Sequence, residues 1–166
     1  MILGLSISTF TTVHVIISLI GILSGIVVLI GWLSGKSSDG WTALFLATTV
    51  LTSVTGFLFP SASFGPPQVV GVISLVVLAA AISALYVFHL AGFWRWVYIV
   101  GATMALYLNA FVGVVQAFQK LPFLRPLAPT QSEPPFVVTQ LVVLVIFVAI
   151  GVAAAKRFHR ETRAPA

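Results

Sequence analysis

The sequence predicts an all-α integral membrane protein, a helical bundle of about five transmembrane helices. Three observations lead there. Apolar types make up 60% of the residues against 7% charged, where an ordinary soluble domain carries roughly 25% charged residues. The mean hydropathy is +1.16. Uncharged runs cover residues 1–35, 40–94, 96–119 and 134–155, and a helix of about 20 apolar residues crosses a bilayer. These runs lack the polar–apolar alternation of barrel strands, and backbone facing lipid must bond within its own segment.

Five spans follow in order within a single transmembrane domain, residues 1–157. The first covers about 10–33; with no Lys or Arg before its apolar run, it is expected to be a retained helix rather than a cleaved leader. The longest uncharged run, 40–94, is cut by Pro60-Ser-Ala-Ser-Phe-Gly-Pro-Pro67, because proline removes an N–H and disfavours helix in the residue before it. That leaves spans at 41–59 and 69–91. A continuous helix over 69–118 would be about 75 Å long, so a hairpin at Gly92 separates the third span from a fourth at 95–118. Residues 119–135 hold five prolines and three charges and are expected to form a shaped external cap. A fifth span covers 136–155, and 158–166 form a basic tail.

Charge sets the expected orientation. Lys36, Arg95, Lys156, Arg157, Arg160 and Arg163 fall on one side of such a bundle, and Lys120 and Arg125 on the other. The positive-inside rule then makes the C-terminal side cytoplasmic and the N-terminus external. Trp32, Trp41, Trp94, Trp96 and Tyr98 are expected as an aromatic belt at that cytoplasmic face. Although the net charge is +5, the cations are not pooled into one basic face, so nucleic acid is not expected as a partner. The absence of cysteine removes disulfides, thiolate metal sites and iron–sulfur clusters.

Helical spacing groups the small and polar residues. Thr11, His14, Ser18, Gly21 and Gly25 share an arc of about 80° on the first span. Trp41, Phe45, Thr48, Thr52 and Thr55 do so on the second, and Tyr98, Ala102, Ala105, Asn109, Gly113 and Gln116 on the fourth. Such stripes face other helices, where small residues allow close approach and hydroxyls bond across. The bland role is packing. The sharper one comes from depth: His14, Thr52, Thr55, Asn109, Gln116, Thr139 and Gln140 all fall between mid-membrane and the external face. His14, Thr52, Thr55, Asn109, Gln116 and Gln140 are therefore the candidate ligand-binding residues. With the 119–135 cap they would line a pocket suited to a quinone carbonyl, a lipid headgroup or a small neutral solute.

No catalytic or metal-ligating residue is expected. A b-type haem needs two ligands at matching depth, and His14 and His89 fall at opposite faces while His159 belongs to the tail. His14 would bond a neighbouring helix, ligate a haem across a homodimer or donate to a bound quinone. His89, beside Tyr86 and Trp94, reads as an interfacial anchor. Ser132-Glu133 lacks the setting of a nucleophile elbow.

The stretches Asp39-Gly-Trp-Thr-Ala-Leu-Phe-Leu-Ala-Thr-Thr, Tyr86-Val-Phe-His-Leu-Ala-Gly and Leu127-Ala-Pro-Thr-Gln-Ser-Glu-Pro-Pro-Phe resemble an uncharacterised group of small bacterial multi-pass membrane proteins. The resemblance implies a bacterial inner-membrane location and carries no activity, cofactor or functional residue with it.

Three functions are weighed on these grounds. The leading expectation is a non-catalytic accessory or assembly subunit that packs against a larger membrane complex and holds lipid or quinone. The second is a quinone- or haem-binding redox protein using the outward polar pocket. The third is a small neutral-solute transporter or channel acting as an oligomer. The expected partners are the lipid bilayer and a membrane-protein partner or a second copy.

Overall fold

Five long α-helices follow one another in a computed structural model that describes residues 1–61 and 63–158. They are α1 (Ile7–Leu33), α2 (Asp39–Gly56), α3 (Pro66–Ile82), α4 (Trp94–Lys120) and α5 (Pro134–Arg157). A π-helical turn, Ser83–Val87, extends α3, and a short 3-10 turn, Arg125–Leu127, precedes α5. Arg160 and Arg163 of the basic tail, and His159, lie outside the described residues.

Local chemistry sets the helix ends. Ser6 caps α1, its hydroxyl accepting from the Thr9 amide at 3.1 Å. Gly35 ends α1 at φ +68, and the Lys36 amide then reaches the Gly31 carbonyl at 2.8 Å. That six-to-one bond closes the helix with a left-handed glycine. Prolines occupy the first turns of α3 and α5, where their missing N–H costs nothing. Residues 88–93 form the turn between α3 and α4, so these are separate helices. His89 and Leu90 both take positive φ there, and the rings of Phe88 and Trp94 stack 3.7 Å apart across the turn.

Four helices, α1, α3 with its π turn, α4 and α5, are long and apolar enough to cross a membrane. The exception is α2, with 18 residues that include Asp39, five threonines and one serine. Five of its six hydroxyls bond back within the helix. Thr48, Thr49, Thr52, Ser53 and Thr55 each donate to the carbonyl four residues back, at 2.6–3.0 Å. Back-bonding of this kind satisfies hydroxyls inside an apolar bundle without any partner helix.

The helices pack in sequence order, α1 on α2, α2 on α3, α3 on α4 and α4 on α5, with α1 also touching α4 and α5. The centre is α4: 39% of its most apolar stretch is buried, against 11% for α5 at the edge. Tyr98, Ala102, Ala105 and Asn109 are buried along one side of α4. The dense core occupies one half of the bundle, where Leu29, Phe45, Leu78, Ala81, Ile99 and Leu106 meet. Gly25 permits the tightest crossing, since a Cβ there would stand 2.6 Å from Leu106 and 2.9 Å from Phe45.

The core corrects the expected aromatic belt. Trp41 and Trp96 are exposed, but Trp32 and Tyr98 are 1% and 2% exposed. Their rings meet edge-on at 5.2 Å, and Phe158 tilts against Trp32 at the same distance. The start of α5's tail thus closes the core from below, and Arg95 fixes it by donating to the Phe158 carbonyl at 3.3 Å.

Candidate functional site

The other half of the bundle is open. A cleft of about 590 Å³ lies between the first halves of α1 and α3, the end of α2 and the second half of α4. That size is within the range of small-molecule sites. Val15, Leu19 and Ile22 of α1, Val70 of α3, and Leu108 and Val112 of α4 form apolar walls. Thr11, His14 and Ser18 come from α1, Thr52 and Ser53 from α2, Gln68 and Ser74 from α3, and Asn109, Gln116 and Lys120 from α4. No carboxylate is among the lining residues.

Hydrogen bonds tie three pairs of helices around this cleft. Between α1 and α4, the Ser18 hydroxyl donates to Asn109 Oδ1 at 2.7 Å, and Asn109 Nδ2 donates to the Ser18 carbonyl at 3.3 Å. Between α2 and α3, the Ser53 and Ser74 hydroxyl oxygens stand 3.0 Å apart. Between α1 and α2, His14 Nδ1 and Thr55 Oγ1 stand 2.8 Å apart. Phe59, just past α2, sets its ring edge-on against His14 at 5.1 Å.

Of the residues singled out from sequence, His14, Thr52, Asn109 and Gln116 line the cleft. Thr55 does not, but it holds His14 from behind. Gln140 does not belong to this group. It is buried in the seam between α4 and α5, where Nε2 donates to the Phe111 carbonyl at 3.2 Å and Oε1 has no hydrogen-bond partner. The reason is packing: α5 lies against α4 and α1, whereas the cleft is walled by the first four helices. Thr139 turns its hydroxyl back to Pro135 at 2.7 Å.

The proline-rich segment also differs from expectation. Only Lys120 of residues 119–135 lines the cleft. The rest folds back along α4: Gln131 Nε2 donates to the Val115 carbonyl at 3.3 Å and Ala128 is buried, while the flanking rings of Phe118 in α4 and Phe136 in α5 meet edge-on at 5.5 Å. Glu133 anchors it, accepting from the Thr130 hydroxyl at 2.8 Å and from the Thr130 and Ser132 amides at 3.1 Å. Desolvation pushes the Glu133 pKa up, but the bonds from Thr130, Ser132 and the local backbone together outweigh it, so the net shift is downward.

The connection that does reach the cleft joins α2 to α3, through Phe57, Phe59, Pro60 and Ser61. This loop and the α3 pair Gln68 and Ser74 were not foreseen from sequence. The available signal was the spacing Gln68, Gly71, Ser74, which repeats every three residues along one side of α3.

His14 and His89 lie at opposite ends of the bundle, at the start of α1 and past the end of α3. Among the described residues no cluster of three or more His, Cys, Asp or Glu could hold a metal ion. Comparison with known protein families, with curated proteins and with solved structures finds no match to this chain.

Proposed function

We propose that this chain is a multi-pass membrane subunit that holds one amphipathic molecule, a lipid or an isoprenoid quinone, in the cleft. It acts as a non-catalytic accessory or assembly component of a larger membrane complex. The single observation that carries the reading is the cleft: about 590 Å³ of space with apolar walls and hydroxyl, amide and imidazole groups on four helices. Apolar surface with a few convergent polar groups suits a molecule with a long apolar body and a small polar head. The only full cation at the rim is Lys120, and no acid lies opposite it, so the head is neutral or anionic.

In this reading α2 is the fifth span, shielded by its neighbours and by its own back-bonded hydroxyls. The chain then runs from an external N-terminus to a cytoplasmic C-terminus in a bacterial inner membrane, and the cleft faces the outer leaflet. The broad apolar face of α5, with Val138, Leu141, Val145 and Val148 exposed, is left for lipid or for the partner complex.

Solvent extraction of protein purified gently from its own membrane tests the proposal. A stoichiometric lipid or quinone, together with a co-purifying membrane chain, supports it. A solitary chain whose extract contains only bulk lipid in membrane proportions contradicts it.

A further inference from the structure

Most polar groups in the cleft are already satisfied by neighbours. Ser18 and Asn109 bond each other, Ser53 bonds Ser74, and Thr52 returns its proton to the Thr48 carbonyl at 2.9 Å. His14 is different, because its partner fixes the position of its proton.

A hydroxyl has one hydrogen to give. Thr55 gives its hydrogen to the Leu51 carbonyl, at 2.6 Å. The Thr55 oxygen therefore faces His14 as an acceptor, and the 2.8 Å contact requires the hydrogen to sit on Nδ1. In the neutral imidazole, Nε2 is then a bare lone pair. The Nδ1–Cε1 edge is turned to α2, since a Cβ on Gly56 would stand 3.9 Å from Cε1. No hydrogen bond reaches Nε2 among the described residues, and His14 lines the cleft.

We infer that His14 gives the cleft a specificity for amphiphiles whose head carries a hydroxyl donor, a phenol or quinol rather than the matching ether or quinone. The hydroxyl donates to Nε2; a carbonyl or ether oxygen offers that atom only a second lone pair. Gln116 and Lys120, one turn apart on α4, supply donors for any further oxygen on the head. This reverses the expectation that His14 donates to a quinone. It rests on the cleft being a ligand site.

The test uses the full chain in lipid nanodiscs, titrated by native mass spectrometry with 4-nonylphenol and with its methyl ether. The pH is held at about 8.5, two units above the ordinary imidazole value of about 6.5, so that His14 is neutral. The phenol is expected to bind roughly three- to tenfold more tightly, the effect of one net hydrogen bond. His14→Phe, which keeps a ring against Phe59, should bring the ratio to one. Thr55→Val, which releases Nδ1 and lets the ring turn, should shrink the preference while His14 remains, and it carries the test if His14→Phe fails to accumulate. A parallel titration with 1-dodecanol separates an aliphatic from an aromatic head. Equal binding of phenol and ether by the unaltered chain overturns the inference and leaves the cleft reading intact. A preference that survives His14→Phe removes the assignment to His14. If neither probe binds, the cleft reading falls and this inference with it.

Discussion

Ser18 and Asn109 bond each other twice across the α1–α4 crossing, hydroxyl to amide oxygen at 2.7 Å and amide nitrogen to backbone carbonyl at 3.3 Å. The pair sits where the dense half of the bundle gives way to the open half. Above it are Gln116 and Lys120; below it are Leu106 and Ala105.

Asn109→Leu removes both bonds and leaves the Ser18 hydroxyl to its own helix. Insertion should be unaffected. Stability should fall by about 0.6 kcal/mol, and by no more than about 1.7, the range measured for intramembrane hydrogen bonds. Thermal unfolding in one fixed detergent measures it. Complete failure to accumulate would make Asn109 a folding determinant and remove it from the binding argument.

Gly25→Ala should be more damaging than the loss of that polar pair. The new methyl would stand 2.6 and 2.9 Å from the two Leu106 methyls and 2.9 Å from Phe45, and both side chains are buried. Overpacking of this kind costs about 1–3 kcal/mol. Gly113→Ala is the internal control, because its Cβ meets only Ile22, at 3.6 Å. The two variants should separate clearly in thermal stability; equal stability would mean that α1 and α4 do not cross at Gly25.

Much of this arrangement was legible in the sequence, and the reason is periodicity. Composition gave the all-helical class, and proline and glycine breaks gave five helices. The spacing of Thr11, His14 and Ser18, and of Asn109, Gly113 and Gln116, identified two faces that do meet at the cleft. Periodicity assigns a residue to a face and a depth, but not to a neighbour. Gln140 has the right depth and sits on a helix packed on the far side of α4. Trp32 and Tyr98 have the depth of a belt but point into the core. The 119–135 segment was expected over the pocket, yet the Gln131 bond to the Val115 carbonyl and the burial of Ala128 hold it along α4.

That segment should respond to acid. The Glu133 carboxyl titrates below its ordinary 4.5, so the folded cap favours the ionised form. Its contribution is fully present above the ordinary value and is lost as pH falls through the lower folded one. The Thr130 and Ser132 amide resonances should therefore shift together below the ordinary range, and limited proteolysis within 119–135 should speed up there. In Glu133→Gln both changes should vanish; a pH response that persists in this variant would place its origin elsewhere.

Orientation can be read directly because the chain has no native cysteine. Ser132 lies in the cap and Ser37 in the α1–α2 connection at the other end of the bundle. A membrane-impermeant thiol reagent should label Ser132→Cys on intact cells and Ser37→Cys only after lysis. The reverse pattern would invert the proposed topology. Labelling of both on intact cells would mean that the two ends are not on opposite sides of the membrane.

The central claim is that the cleft holds a molecule, and filling the cleft tests it most directly. Val112 faces the empty space from α4, and Val112→Trp would put an indole ring into it. Native mass spectrometry of both proteins, released from their own membrane under the same gentle conditions, compares the mass retained. The account predicts a discrete non-protein adduct of one lipid or quinone on the native chain and its loss in Val112→Trp. A native chain that carries no discrete adduct, or an adduct that Val112→Trp retains in full, would contradict it.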